Sequence, residues 1–112
     1  MTGPVSRPAV VELQVADEPQ TWGALGFTVI DDEARVGPVA VRLLGSGAGT
    51  GIVGWTLRDW DGSALDGLTT ALAPEGPAPS GAHPNTATGL DHVVVATPDR
   101  ERTSAALDAA GL

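Results

Sequence analysis

The last stretch of the chain constrains its fold most, because residues 89–112 have the pattern of a strand, a turn and a helix. The run at 93–95 is apolar, short and β-branched, which predicts a buried strand. Thr97 is suited to cap a helix and Pro98 to occupy its first position. An apolar stripe at helical spacing follows, formed by Thr103, Ala106, Leu107 and Ala110. The segment therefore predicts the opening strand and helix of a unit, with Gly111 ending the helix.

A weaker copy of this pattern lies near the start of the chain, in VVELQVADEP at residues 10–19. Aligning Glu12 with His92 also places residues 25–27 opposite residues 110–112. An interval of about 80 residues is too long for a solenoid repeat and is typical of a duplicated domain half. The chain is therefore predicted to contain two related modules, the second of which stops after its helix.

The phrases LDHVVVATPDRERT and VVELQVADEPQTW resemble the openings of the second and first modules in the vicinal oxygen chelate superfamily. That superfamily includes glyoxalase, bleomycin-resistance and extradiol dioxygenase proteins. The resemblance implies an α+β, glyoxalase-like fold, in which a βαβββ module with a curled mixed sheet occupies residues 9–59. Residues 60–88, rich in Gly and Pro, are predicted to be a linker. Residues 89–112 would then be the strand and helix of a second, truncated module.

Three further strands are predicted within the first module. They are Phe27–Asp32, Val36–Leu44 and Ile52–Asp59. The glycine-rich segment 45–51 between the last two is predicted to be a hairpin connection, because no Lys-Ser/Thr pair and no helical pattern follow it, as a phosphate-binding loop would require.

Alternation along the first strand separates an apolar face from a polar face. The apolar face and the first helix are predicted to pack together through Val11, Leu13, Val15, Trp22 and Leu25. Glu12 and Gln14 then lie on the opposite face. This polar face is where the sequence predicts a binding site.

The resemblance implies that the curled sheets of two modules pair to form an open cup. It also implies that this cup holds a divalent metal, bound by residues from the first and last strands of each module. Glu12 and His92 occupy the two first-strand positions, and a carboxylate with an imidazole suits Zn, Ni, Fe or Mn. The strand at 52–59 has Gly54 and Thr56 where further ligands are expected, so only half of a ligand set is visible. Glu12 and His92 each also have a structural interpretation in which neither binds a metal. Glu12 would then be a polar residue near a strand end, and His92 a hydrogen-bonded histidine at a strand start. His83 is predicted to be a loop residue.

Gln14, Arg42, Thr56 and Trp60 are the predicted contacts to a ligand, and an edge-strand ion pair is the alternative role for Arg42. A cup with these side chains suits a small polar or cationic molecule. Two functions stay open. One is a metal-dependent lyase, isomerase or dioxygenase in which Glu12 moves a proton. The other is a resistance-type module that binds without turnover, or an inactive fragment.

Composition excludes several partners. The chain of 112 residues has a net charge of −8, with six arginines and no lysine, which argues against nucleic acid and anionic membranes. No apolar stretch is long enough to span a bilayer, so a cytoplasmic protein is expected. The absence of cysteine excludes disulfides and thiolate chemistry. An unpaired sheet edge in the second module predicts a homo-oligomer.

Overall fold

The computed structural model describes residues 8–73, 82–90 and 92–112. It is an α+β fold with a mixed sheet of five strands, which confirms the predicted α+β class, whereas the glyoxalase-like module stays a prediction. In chain order the elements are β1 Ala9–Val15, α1 Pro19–Ala24, β2 Glu33–Val36, β3 Val39–Leu43, β4 Ile52–Arg58, β5 Thr70–Leu72 and α2 Arg100–Ala109. Neither helix in these ranges is long and apolar enough to cross a membrane.

Strand β1 is the centre of the sheet, whose order is β2-β3-β1-β4-β5. It pairs in parallel with β3 and antiparallel with β4. The hairpin predicted at 45–51 is wrong, because β1 lies between the two strands that this loop joins. The Glu18 carboxylate anchors the loop by accepting hydrogen bonds from the Ser46 N–H and hydroxyl, each at 2.8 Å. These bonds lower the pKa of Glu18.

The strand predicted at Phe27–Asp32 is wrong. Ile30 forms only an isolated bridge with Glu33, and its side chain is 67% exposed. Between them, Asp31 and Asp32 have φ of 52° and 60°, the left-handed conformation that two-residue hairpin turns need. Aspartate tolerates this conformation better than most residues do, so the chain turns where the hydrophobic pattern suggests a continuing strand.

The strand predicted at Val36–Leu44 is in fact the end of β2, a turn and β3. Gly37 has φ of +60°, and a Cβ atom there would lie 2.6 Å from the carbonyl oxygen of Thr88. Only glycine fits this combination of backbone conformation and close approach. The turn makes β2 and β3 an antiparallel hairpin.

The hydrophobic core covers one face of the sheet. Its buried members are Leu13, Val15, Ala34, Val36, Val39, Val41 and Leu43. Trp22 packs against them as predicted, with its ring centroid 4.6 Å from that of Phe27. The indole N–H of Trp22 donates to Asp17 at 2.9 Å. The core placement of Leu13, Val15 and Trp22 is therefore confirmed.

Two predicted core residues lie elsewhere. Leu25 is 63% exposed, because α1 ends at Ala24 and directs the next residue outward. A register shift between Val10 and Glu12 places Val10, rather than Val11, against the core. An irregularity of one residue in a strand changes which side chains share a face.

The segment predicted as a linker contributes to the fold. It contains β5 and the buried Leu65. In the same segment the buried ring of His83 accepts a hydrogen bond from the Thr28 N–H through Nδ1 at 2.8 Å. Its Nε2 lies 2.5 Å from the carbonyl oxygen of Arg35 and is therefore the protonated nitrogen. His83 thus joins two segments through their backbones.

The strand predicted at 93–95 does not form. Val93 packs against the core and Val95 is half-buried, but Val94 is 78% exposed, and residues 92–97 are not part of the sheet. Apolar and β-branched character is not sufficient for a strand, because the segment also needs an edge to pair with. The two-module division of the chain therefore stays a prediction.

Helix α2 begins later than expected. Asp99 caps it by accepting from the Arg102 N–H at 3.0 Å, whereas the hydroxyl of Thr97 pairs with that of Thr103 at 2.7 Å. Thr103 and Ala110 are buried and Leu107 is half-buried, so the predicted stripe is confirmed. The helix packs on a second cluster whose buried members are Leu57, Leu65 and Ala110.

Asp66 fixes α2 to the loop between β4 and β5. Its carboxylate accepts hydrogen bonds from the Thr103 hydroxyl and from Arg102 Nε, the latter at 2.6 Å. The hydrogen bond from Thr103, followed by that from Arg102, lowers the pKa of Asp66. The ionised carboxylate is therefore the form that holds the helix.

We expect Asp66→Asn to reduce the acid sensitivity of the fold. Because the pKa of Asp66 is lowered on folding, its contribution is present above the ordinary value of 3.8 and is lost as the pH falls below it. Asparagine tolerates the left-handed φ of 53° at this position. Thermal melts between neutral and acid pH should show a lower melting temperature for the variant at pH 7 and a smaller loss on acidification.

The control is Asp108→Asn, which removes an exposed carboxylate from α2, the helix that Asp66 holds. It should follow the wild-type dependence on pH. Parallel curves for wild type and Asp66→Asn would contradict the role given to Asp66.

Candidate functional site

The sheet face opposite the core carries a set of polar side chains that we call the network face: Glu12, Gln14, Glu33, Arg35, Arg42 and Thr56. The strand register brings them together. Glu12 lies opposite Thr56 of β4, and Gln14 lies opposite Arg42 of β3. Residues in register on one face are close enough to interact.

Hydrogen bonds join four of these residues into one network. Arg42 Nε donates to Glu12 Oε1 at 2.7 Å, and the Thr56 hydroxyl donates to Glu12 Oε2 at 3.3 Å. Gln14 Nε2 in turn donates to the Thr56 hydroxyl at 3.0 Å. Both oxygens of Glu12 are therefore engaged. The structure brings together four of the residues that the sequence predicts for a site.

Two residues that the sequence analysis missed extend this network. Arg42 Nη2 lies 3.6 Å from Glu33 Oε2, and Arg35 Nη2 lies 3.3 Å from Glu33 Oε1. Glu33 is directly opposite Arg42 in the β2–β3 hairpin. That pairing was hidden because the sequence pattern placed the strand before Glu33 rather than after it. The turn at Asp31 and Asp32 was the signal that could have located the start of β2.

The network face carries equal numbers of negative and positive side chains. It carries the carboxylates of Glu12 and Glu33 and the guanidinium groups of Arg35 and Arg42. The hydrogen bond from Arg42 to Glu12, together with their opposite charges, raises the pKa of Arg42. The guanidinium therefore stays charged at neutral pH.

Within the network, burial decreases from Thr56 through Glu12 to Arg42. Thr56 is buried, the Glu12 side chain is 22% exposed and that of Arg42 is 46% exposed. A small molecule above the sheet would therefore meet Arg42 first and the Glu12 carboxylate next. The Thr56 hydroxyl orients that carboxylate by donating to it.

Gly54 makes room for the network in β4. A Cβ atom at this position would lie 2.8 Å from Gln14 Oε1 and 3.3 Å from Thr69 Cγ2. Its backbone conformation does not require glycine, because its φ is not positive. Glycine is therefore needed here for space, because the Gln14 carboxamide occupies the volume that a side chain at position 54 would need.

Glu12 and His92 do not face one another across a common site. Glu12 belongs to the network face, whereas His92 lines an apolar cavity of about 310 Å³ with Val10, Trp55 and Leu107 on the core side. Within the described residues, no three His, Cys, Asp or Glu side chains are grouped as a metal site. The Glu12 carboxylate is also paired with a guanidinium, which competes with a metal ion. This arrangement does not fit the metal implied by the resemblance.

Trp60 lies apart from the network. Its ring packs against the cluster of Leu57 and Leu65 and lines a separate cavity of about 270 Å³. The indole nitrogen is buried and has no hydrogen-bond partner among the residues that the structure describes. The predicted role of Trp60 in ligand binding stays a prediction.

Comparison with known proteins identifies no relative. No protein-family model matches the chain, and neither a curated protein nor a solved structure is significantly similar to it. The function must therefore be argued from the site itself.

Gly54→Ala is expected to disturb the network through Gln14. The added methyl group would displace the carboxamide oxygen and break the hydrogen bond between the carboxamide and Thr56, at a cost of about 1 kcal/mol in unfolding free energy. In a Gln14→Ala background the same substitution should cost less, because the closest contact is then gone and the 3.3 Å approach to Thr69 Cγ2 remains. Denaturant unfolding of the two single variants and the double variant measures this coupling.

Gly23→Ala is the matched control, since a Cβ atom added at this position would meet open space. It should stabilise α1 by about 0.5–1 kcal/mol, because alanine is the better helix former. Strictly additive effects of Gly54→Ala and Gln14→Ala would show that the two positions do not interact.

Proposed function

We propose that the protein is a glyoxalase-like domain that binds a small molecule on the network face. The observation that supports this most is the convergence of Glu12, Gln14, Arg42 and Thr56 in one hydrogen-bonded set. The order of elements between residues 9 and 58 supports it too, since a strand and a helix are followed by three strands. A second copy of the chain, completing the cup, is part of the proposal.

The network face favours a small polar or cationic ligand. Its carboxylates and guanidinium groups can pair with either sign of charge, and Asp32 adds negative potential near Arg42. Ion pairs that are this exposed contribute only about 0–1 kcal/mol, so a ligand can exchange with one partner at little cost. Glu12 and Arg42 would then contact the ligand directly.

Binding without turnover agrees best with the state of Glu12. A carboxylate that moves protons needs an accessible oxygen with matched basicity, whereas both oxygens of Glu12 accept hydrogen bonds from the protein. The second candidate is a lyase, isomerase or dioxygenase in which Glu12 moves a proton. Its support is the partial exposure of Glu12, which lets a substrate reach the carboxylate.

Substitution of Glu12 separates these candidates. A hemithioacetal and a catechol, representing vicinal-oxygen ligands, would be tested for binding by calorimetry and for turnover. If Glu12 moves a proton, Glu12→Gln should lower the rate by a factor of about 10² or more with little change in affinity. If the protein only binds, no turnover exists and affinity should change modestly.

Arg42→Gln tests the network face as the binding surface, and Arg58→Gln is its control. The two arginine side chains are equally exposed, at 46% and 47%, but Arg58 pairs with Asp59 outside the network. Arg42→Gln should weaken ligand binding about tenfold, as expected for a charged hydrogen bond, and Arg58→Gln should leave it unchanged. Equal effects of the two substitutions would contradict the proposed surface.

The metal implied by the resemblance has its own test. If Glu12 and His92 were ligands, Zn²⁺ or Ni²⁺ should raise the melting temperature, and His92→Ala should abolish the increase. The separation of the two residues predicts a small shift or none. A large shift that His92→Ala removes would overturn this expectation, and one that survives the substitution would exclude His92 as the ligand.

A further inference from the structure

We infer that the ligand of the network face is a free α-amino acid, whose ammonium group binds Glu12 and whose carboxylate binds Arg42. This inference rests on the proposed function and adds the chemical class of the ligand. It is carried by the pairing within the network, where both carboxylates are already matched with guanidinium groups.

The ion pair between Arg42 and Glu12 restricts the charges that a ligand can bring. Arg42 Nε lies 2.7 Å from Glu12 Oε1. A ligand with a single charge replaces one member of this pair, so it forms one ion pair for the one that it breaks. A ligand with both charges gives a new partner to Glu12 and another to Arg42. It forms two ion pairs for one, which favours a zwitterion.

Glu33 lets Arg42 turn toward a ligand. Its Oε1 lies 3.3 Å from Arg35 Nη2 and its Oε2 lies 3.6 Å from Arg42 Nη2. Arg35 therefore continues to compensate Glu33 when Arg42 moves. Arg42 is also the more exposed of the two guanidinium side chains, at 46% against 38%.

Thr56 keeps Glu12 in place during this exchange. Its buried hydroxyl donates to Glu12 Oε2 at 3.3 Å and accepts from Gln14 Nε2 at 3.0 Å. The carboxylate is thus held through one oxygen while the other changes its partner. Glu12 Oε1 is the oxygen that the ammonium group of the ligand meets.

Ala40 gives room for the body of the ligand. It lies in register with Glu12 on one side and Arg35 on the other, and Arg42 follows it on the same face of β3. Its methyl group is 7% exposed, so the longer side chains around it cover it. When Arg42 turns, this methyl group becomes the floor beneath the ligand. Because Glu12 and Arg42 are in contact before the exchange, the two charges of the ligand must lie close together, as they do on the single α-carbon of an amino acid.

Four probes test this class on the full chain: alanine, alaninamide, N-acetylalanine and 4-aminobutyrate. Their binding is measured by NMR titration at about pH 6.5, where each amino group among them is protonated. We expect alanine to bind about fivefold more tightly than alaninamide, which has only the positive charge, or N-acetylalanine, which has only the negative charge. This factor is the upper end for an exposed ion pair. 4-Aminobutyrate, whose charges are farther apart, should bind more weakly than alanine.

Substitutions of the two partners should change the preferred ligand in opposite directions. In Arg42→Gln, alaninamide should bind more tightly than to the wild type, because its ammonium group no longer competes with the guanidinium for Glu12. In Glu12→Gln, N-acetylalanine should gain in the same way. Both variants should lose the preference for alanine, whereas Arg58→Gln, the control, should keep it. Melting curves check that each variant folds.

Ala40→Leu tests the floor without changing any charge. The larger side chain would occupy the space of the ligand and should weaken the binding of all four probes. Ala105→Leu, at an exposed position of α2, is the matched control and should leave binding unchanged.

The outcomes distinguish this inference from the proposed function. If alaninamide, N-acetylalanine or 4-aminobutyrate binds the wild type as tightly as alanine does, the inference is wrong. It is also wrong if none of the four probes binds, or if Arg42→Gln and Glu12→Gln preserve the wild-type order. In each of these cases, the titrations with the hemithioacetal and the catechol judge the proposed function independently.

Discussion

The pairing of β1 with a neighbour on each side is the constraint on which the rest of the structure depends. Its register with β3 and β4 directs Leu13 and Val15 into the core and Glu12 and Gln14 onto the network face. A slip by one residue would exchange these two sets, burying a carboxylate and exposing leucine and valine. The hydrophobic core and the candidate site are thus specified by the same hydrogen-bonded ladder.

Much of the network face could be predicted because it depends on local alternation. The period of two along β1 and β4 is sufficient to place Glu12, Gln14 and Thr56 on one side of a sheet. The stripe on α2 was likewise predictable, since Thr103 and Ala110 lie at helical spacing. In these elements, the pattern that is visible in the sequence is the same one that burial enforces.

The errors arose where a strand depends on a distant partner. Residues 93–95 have strong strand character but no paired edge, and β2 begins only after the turn at Asp31 and Asp32. The interval between β4 and β5 contains few periodic residues, yet Leu65 is buried within it. Hydrophobic periodicity reports which residues avoid water, but it does not report which segment pairs with which.

The ring of His83 has a consequence for the order of folding. It joins the backbones of Thr28 and Arg35, which are 55 and 48 residues away along the chain. These two partners become neighbours only when the turn before β2 and the β2–β3 hairpin have formed. Closing such long loops costs entropy before the contacts repay it, so we expect the docking of His83 against Thr28 and Arg35 to come late in folding.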